Sequence, residues 1–302
     1  MKILLIYNLS SGNGKIMQSL SKIKSFFDIN NFLYDIYDIR AKDEVSKDMM
    51  LLSKYYDTFV IAGGDGTIHS VINGIMAVPM DERPKLLFLP FGTTNDFANM
   101  LGIGKDIDFN LALLKTNHYR KSDVYALNNE FFVYAAAVGK FSNVSYRINR
   151  RKLRKFGPIG YLLNARNDIF KKYNMNIEVE TNAFKINKKT FLILIASGSR
   201  LGGFNISKFS KNPKLNDGKI DVRIFTRTHF FSWIKLIIFY LLKGKKFYRD
   251  IHINTNYIHI KLDGNYIWNV DGEKGPIGDI KVYTLQKQIE VYVHPNYIDK
   301  MF

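Results

Sequence analysis

The chain has 302 residues, 46% hydrophobic and 14% aromatic, enough for two packed cores of ordinary domain size. A formal net charge of +17 and an isoelectric point near 9.7 attract polyanions (nucleic acid, anionic lipid surfaces, nucleotides), though a solvated lysine-rich surface reads the same way. The absence of cysteine excludes disulfides, thiolate metal sites and a cysteine nucleophile, and suits a cytosolic setting.

Residues 2–7 read as a buried strand directly after Met1, too short for the core of a signal peptide. A helix follows over 15–28, with Met17, Leu20, Ile23 and Phe27 at helical spacing. Then come a strand at Tyr34–Tyr37, a helix at Glu44–Tyr55, a strand at Thr58–Ala62, a helix at Ile68–Met76, a strand at Leu86–Leu89 and a helix from Asn95 to Leu101. This alternation predicts a parallel sheet with helices on its faces, an α/β domain over 1–122. Beyond it, segments 122–127, 131–138, 175–181, 184–186, 190–197, 219–226, 251–253, 257–262, 266–270, 279–284 and 288–293 read as short strands between turns. They predict an antiparallel β-sandwich over 123–294, with helical inserts near 142–173 and 229–243. The tail at 295–302 is expected to return to the first domain. The most apolar run, Phe230–Leu242, is interrupted by Lys235 and falls short of the ~20 residues of a membrane span.

Three loops follow strands of the first domain. Gly63-Gly64-Asp65-Gly66-Thr67 joins a strand to a helix N-terminus, where glycines let backbone N–H groups approach a phosphate and the helix dipole favours negative charge. Asp65 cannot bind phosphate itself but can act through a cation such as Mg²⁺. Pro90-Phe91-Gly92-Thr93-Thr94-Asn95-Asp96-Phe97 opens the next helix, with Asn95 or Asp96 as its cap. Asn8-Leu9-Ser10-Ser11-Gly12-Asn13-Gly14-Lys15 follows the first strand and has neither Walker nor dinucleotide-fingerprint spacing. Three such loops at the carboxyl edge of one parallel sheet describe a mononucleotide site. In the second domain, Asp271-Gly272-Glu273 reads equally as a hairpin turn or as a carboxylate pair, one member taking a substrate proton and the other orienting it. Asp217-Gly218 is open to the same two readings.

The order of these motifs resembles the diacylglycerol kinase catalytic domain family nearly end to end, on Asn8–Gly12, Gly63–Thr67, Pro90–Phe97, Asp123, Gly202-Gly203 with Asp217-Gly218, and Asp271–Glu273. Gly-Gly-Asp-Gly alone is not specific, since NAD kinases and phosphofructokinases share it. The resemblance implies a cytoplasmic, ATP-dependent lipid kinase that phosphorylates diacylglycerol to phosphatidic acid with Mg²⁺, working peripherally at an anionic membrane surface. It implies no nucleic-acid partner and leaves a homodimer open. ATP would lie against Asn8, Leu9, Ser10, Ser11, Gly12, Gly63, Gly64, Asp65, Gly66, Thr67, Ile68, His69 and Thr93, with Asp38 at a further contact where relatives often have Thr. Asp65 and Asp123 would organise the catalytic Mg²⁺. Glu273, with Asp271 beside it, would be the general base, and Asp217 with the carbonyls of Lys214 and Lys219 would hold a structural Mg²⁺.

Leu9 replaces the family's usual Pro, Asn13 stands where a lysine often follows Gly12, no Pro follows Gly202-Gly203 within Phe204–Ser210, and Lys140 follows Gly139 where a small residue is common. None of these removes a carboxylate or a main-loop glycine, so an active enzyme is expected. Two segments suit an anionic interface: the basic run Arg147–Lys155 before the apolar Phe156–Leu163, and Phe230–Lys246. Each also reads as a helix packed on the sandwich with a solvated basic face. A kinase for another lipid, a sphingoid or other glycerolipid, is a neighbouring reading. The competing classes are an NAD kinase-like or sugar kinase, disfavoured by the Pro90–Phe97 loop and its distance from Asp271–Glu273, and a non-catalytic basic binding module, disfavoured by the retained carboxylates.

Overall fold

The computed structural model describes residues 1–9, 15–41, 44–142, 171–226 and 232–302. They form two compact units, Met1–Val124 with Gln286–Phe302, and Tyr125–Leu285.

The first unit runs β1 (Lys2–Tyr7), α1 (Lys15–Ile29), β2 (Leu33–Asp38), α2 (Val45–Leu52), β3 (Thr58–Gly63), α3 (Asp65–Ile75), β4 (Lys85–Pro90), α4 (Asp96–Met100), α5 (Ile107–Ala112) and the start of β5 (Tyr119–Leu127). Its sheet has the order β2-β1-β3-β4, every pair parallel, with β3 buried along its whole length. A strand buried on both faces reads as a continuous apolar run, as Phe59–Ala62 does. Three sequence expectations change. Helix α3 begins at Asp65 rather than Ile68, because Gly64 takes the N-cap position and its carbonyl accepts from Thr67 N and Ile68 N at 2.9 and 3.1 Å. The glycine and hydroxyl that read as loop are the helix's first turn. Asn95 sits at the N-cap of α4 but caps nothing with its side chain, and α5 was unforeseen. Helix α5 is short and is capped by the Asp106 carboxylate, which accepts from Phe109 N at 3.1 Å.

The second unit contains β6 (Glu130–Phe132), β7 (Ala135–Gly139), β8 (Met175–Thr181), β9 (Lys185–Thr190), β10 (Leu192–Ala196), β11 (Arg200–Leu201), β12 (Phe204–Asn205), β13 (Ile220–Phe225), α6 (Ser232–Leu241), β14 (Ile251–Thr255), β15 (Tyr257–Leu262), β16 (Ile267–Val270), β17 (Glu273–Ile277) and the first part of β18 (Ile280–Tyr292). One antiparallel sheet has the order β14-β13-β10-β7-β16-β17, and β18, β15, β8 and β9 form another. Inward residues of both sheets, among them Val138, Ile193, Val222, Trp268, Val179 and Ile260, share one core. The expected α/β domain and antiparallel sandwich are both present. The run read as one strand at 131–138 is broken at Val133 and Tyr134, whose N–H groups turn to a carboxylate described below. The two segments 279–284 and 288–293 are one strand, β18, with a left-handed residue at Lys287 (φ 55°) in place of a break. The lysine-rich Lys185–Thr190, read largely as turn, is an edge strand, where lysines deter further pairing.

Chain return to the first unit begins at Gln286, earlier than the expected 295, because Val291 continues beside Leu86 of β4 in parallel. Helix α7 (Pro295–Met301) follows, its start capped by the His294 side chain, which accepts from Asn296 N at 3.1 Å. The insert expected at 142–173 and the basic run 147–163 fall on residues outside those described, and the insert at 229–243 is described from Ser232 as α6.

Candidate active site

The carboxyl ends of β1, β3 and β4 are tied together by their own backbone. Asn8 N donates to Ala62 O at 3.2 Å, and Gly63 O accepts from both Phe91 N and Gly92 N at 2.9 and 3.1 Å. Asn8 Nδ2 reaches Thr67 Oγ1 at 3.5 Å. The glycines serve close approach. A Cβ on Gly92 would lie 2.5 Å from Gly64 Cα, and one on Gly63 would lie 2.5 Å from Thr67 Oγ1. Any larger residue would part the two loops. Asn95 accepts the left-handed conformation (φ 49°) and clamps Gly92 from both sides, its Oδ1 taking Gly92 N at 2.8 Å and its Nδ2 giving to Gly92 O at 2.9 Å. Its amide is spent on the loop, and so leaves the helix uncapped.

Asp65 lies in the first turn of α3, and Thr94 Oγ1 donates to its Oδ2 at 2.7 Å. Sequence reasoning picked Thr93, which is exposed, and missed Thr94, which touches the carboxylate. Thr67 and Ile68 are buried at 6% and 4% exposure, so Ile68 offers a ligand only its backbone. His69 is half-buried, and its carbonyl accepts from Asn73 Nδ2 at 2.9 Å. Of the first loop, Asn8 and Leu9 are described, while Ser10, Ser11 and Gly12 lie outside the described residues.

Asp38, at the end of β2, is gripped by Arg40, whose Nη2 donates to Oδ2 at 2.9 Å and whose backbone N donates to Oδ1 at 3.0 Å. The Arg40 hydrogen bonds hold the Asp38 carboxyl below its usual range. Where Thr was the family expectation, the group carried at this strand end is a guanidinium on a carboxylate tether. Arg40 was not foreseen from the sequence.

Asp123 is buried at 1% exposure on β5, with Oδ1 accepting from Lys287 N at 2.8 Å. That N–H belongs to the left-handed Lys287 (φ 55°), so a residue far along the chain fixes the carboxylate. Among the described residues no group of three or more His, Asp and Glu side chains is arranged to hold a metal alone.

In the second unit, Asp271-Gly272 is a two-residue hairpin turn between the paired Val270 and Glu273, with φ of 48° and 89°. Both positive values are what a type I′ turn requires. The turn reading is therefore correct, and the side chains add to it. Asp271, 1% exposed, accepts from Val133 N (2.9 Å) on Oδ2 and from Tyr134 N and Ala135 N (3.1 and 3.0 Å) on Oδ1. Ser197 Oγ holds the same bend by donating to Val133 O at 2.8 Å. Asp271 is thus an anchor between the β6–β7 connection and the turn. Glu273, the first residue of β17, is half-buried and within reach of water.

Asp217 forms a turn in which Lys219 N donates to its Oδ1 at 2.9 Å, with Gly218 at φ 74°. Partial desolvation pushes its carboxyl up, the nearby Asp221 adding to the effect. A carboxylate that burial and a neighbouring acid disfavour as a bare anion is one that a cation would stabilise. The Lys219 carbonyl already accepts from Tyr125 Oη at 3.2 Å, and Lys214 is half-buried beside the turn.

Residues 2–127 match the sequence model of the Diacylglycerol kinase catalytic domain. The diacylglycerol kinase of Bacillus subtilis is 26% identical over 292 residues, 95% of this chain and 94% of the relative. That of Staphylococcus epidermidis is 30% identical over 245 residues, 80% of this chain and 75% of the relative. A crystal structure of a diacylglycerol kinase from Bacillus anthracis has the same fold, with a TM-score of 0.77, 24% identity and 98% of each chain covered.

Proposed function

The chain belongs to the diacylglycerol kinase catalytic domain family, and from that premise we propose that it is an ATP-dependent kinase that phosphorylates the free hydroxyl of diacylglycerol at a membrane surface, giving phosphatidic acid. The observation that carries the reading is the loop pair at β3 and β4, with Asp65 presented from a helix N-terminus and oriented by Thr94. Phosphoryl transfer asks a protein mainly for positioning and charge neutralisation. The Gly63–Gly66 and Gly92–Asn95 backbone approaches the phosphates, and Arg40 adds a cation at the neighbouring strand end. The donor set fits Mg²⁺: Asp65 is a single oriented oxygen donor, Asp123 a second fixed carboxylate, and phosphate oxygens and water complete the shell. That ion would neutralise phosphate charge.

Glu273 is the proposed base. It takes the proton of the acceptor hydroxyl as the oxygen bonds to the γ-phosphorus, and ADP leaves. Asp271 positions it by fixing the turn. Asp217, with the carbonyls of Lys214 and Lys219, is the proposed seat of a structural Mg²⁺. Purified protein given Mg²⁺, ATP radiolabelled on its γ-phosphate and a panel of lipid acceptors tests the reading. Labelled phosphatidic acid supports it, label in another phospholipid moves the acceptor, label in NADP favours the NAD kinase class, and no transfer refutes it.

A further inference from the structure

Helix α6 carries two apolar faces. Leu236 and Phe239, 3% and 0% exposed, pack inward, and Phe239 meets Phe209 and Phe225 edge to face at 6.2 and 5.1 Å. Lys235 is also drawn inward, pairing with Asp250 and donating to Thr226 O at 3.2 Å. The other face leaves Ile234, Ile238, Leu241 and Leu242 in water, at 39%, 39%, 75% and 42% exposure. Leu242 N still donates to Ile238 O at 2.9 Å, so the helical path includes it. At 3.6 residues per turn the four side chains fall within an arc of about 100°. Packing on the sandwich uses only the first face.

The charge around this stripe is one-sided. Residues 1–124 and 286–302 carry sixteen Lys and Arg against sixteen Asp and Glu, whereas 125–285 carry twenty-eight against eleven. The entire +17 therefore resides in the second unit. Within 199–249 twelve basic residues stand against two acidic ones, Asp217 and Asp221. Four exposed lysines gather at the end of α6: Lys243, Lys245 and Lys246 follow the stripe, and Lys208 joins them because its N–H donates to Lys243 O at 2.8 Å. Tyr248, 87% exposed, adds an amphipathic ring.

The helix end is itself ordered. Gly244 N donates to Phe239 O (2.8 Å) and Lys243 N to Tyr240 O (3.1 Å), the two bonds of a Schellman cap, with Lys243 left-handed at φ 56°. Glycine would fit that position with less strain, yet the chain carries a lysine there.

We propose that the Ile234–Leu242 face of α6, with the lysines at its end, is a docking surface for an anionic lipid bilayer. The inference rests on the lipid-kinase reading for its purpose, and on the exposure and charge above for its location. An apolar stripe beside clustered cations is the pattern of an interfacial helix that inserts side chains at the acyl boundary while lysines meet anionic headgroups. A second copy of the chain is a poorer occupant. A two-fold contact brings two copies of one strongly basic, acid-poor surface into a single interface, where no opposite charge is supplied by the partner copy.

The test is co-sedimentation of the full chain with vesicles of phosphatidylcholine alone or mixed with phosphatidylglycerol. Two variants are compared with the parent: L241Q/L242Q and K243G/K245Q/K246Q, the latter keeping the cap because glycine suits it. Circular dichroism melts verify folding, and phosphorylation of a short-chain diacylglycerol dispersed without a bilayer is measured alongside. Affinity for phosphatidylglycerol vesicles should fall roughly 100-fold on loss of the three lysines and roughly tenfold on loss of the two leucines, with dispersed-substrate rates unchanged. Variants that fold and bind these vesicles like the parent would overturn the proposal and leave the kinase reading standing. So would a parent whose sedimentation velocity shows a dimer that the leucine variant abolishes while vesicle binding persists. A parent that binds the vesicles through this face but phosphorylates no lipid would sink the kinase reading alone.

Discussion

Asp271 and Glu273 are two residues apart on one hairpin, and the structure makes opposite predictions for their amides. In Asp271→Asn one carboxylate oxygen becomes an NH₂ group facing backbone N–H donors. The wild-type carboxylate takes one bond on Oδ2 and two on Oδ1, all between 2.9 and 3.1 Å, in a site 1% exposed. Placing the amide NH₂ toward Val133 loses one bond and sets it against that one N–H donor; the other orientation loses two bonds and sets it against two. A buried hydrogen bond to a charged group is worth about 1.5–3 kcal/mol, and stranding its donor adds a similar cost, so a loss of about 3–5 kcal/mol is expected. In Glu273→Gln the side chain is half-buried at a strand start, and stability should stay within about 0.5 kcal/mol. Transfer should fall roughly 10²–10⁴-fold if this carboxylate is the base. Urea unfolding gives the first quantity and steady-state phosphorylation of diacylglycerol the second. Asp271→Asn that unfolds at the wild-type urea midpoint would refute the anchor assignment, and Glu273→Gln at full rate would refute the base.

Three other outcomes follow from local geometry. Thr94→Val removes the hydroxyl that orients Asp65; because the pair is half-exposed and water can substitute, the lower end applies, about 1.5 kcal/mol or roughly tenfold in kcat, with Thr94→Ser near wild type, as a Mg²⁺ titration of the rate would show. Gly92→Ala forces its new methyl to within 2.5 Å of Gly64 Cα and should abolish nucleotide binding by calorimetry, whereas Gly104→Ala, with open space around its Cβ, should leave binding intact and shift stability by less than about 1 kcal/mol. Desolvation and the bond to Asp35 push the Tyr56 phenol up to about 12, so the folded state keeps a proton that the unfolded chain releases from its ordinary value of 10.0; stability should therefore fall as pH rises from 10 toward 12, and Tyr56→Phe should flatten that decline in chemical unfolding.

Much of this was written locally in the sequence. The strand of Thr58–Gly63, its glycines and Asp65 fall within one short segment, and each needs only its neighbours to be recognised. What stayed illegible depends on partners far along the chain or on a twist that composition does not announce. Thr93 and Thr94 are adjacent and identical, and the left-handed Asn95 belongs to the loop geometry that sets one against Asp65. Asp271 reads as a turn residue, because the N–H groups it anchors lie more than 130 positions away. The start of α3 was misplaced for an energetic reason: two glycines and an aspartate are weak helix formers, and the turn forms because Gly64 O is offered to Thr67 and Ile68 from a position fixed by β3. Arg40 matters through Asp38, a relation that spacing alone does not suggest.

The distribution of charge separates two ways of handling an anion. The first unit is neutral in sum, yet on the proposed reading it accepts a nucleotide polyphosphate. Its positive potential must then be local: backbone N–H groups at the start of α3, the partial charge of that helix, Arg40, and the cation on Asp65. Such contacts are short-ranged and partly dehydrated, and salt screens them weakly. The second unit instead spreads a large excess over solvent-facing lysines, which suits a diffuse negative surface whose attraction fades over a Debye length of about 8 Å at physiological salt. Raising salt from 0.05 to about 0.5 M should therefore weaken binding to phosphatidylglycerol vesicles by more than roughly tenfold while changing nucleotide affinity much less. Equal salt sensitivity of the two would mean that the lysines of the second unit, rather than the glycine loops, hold the nucleotide.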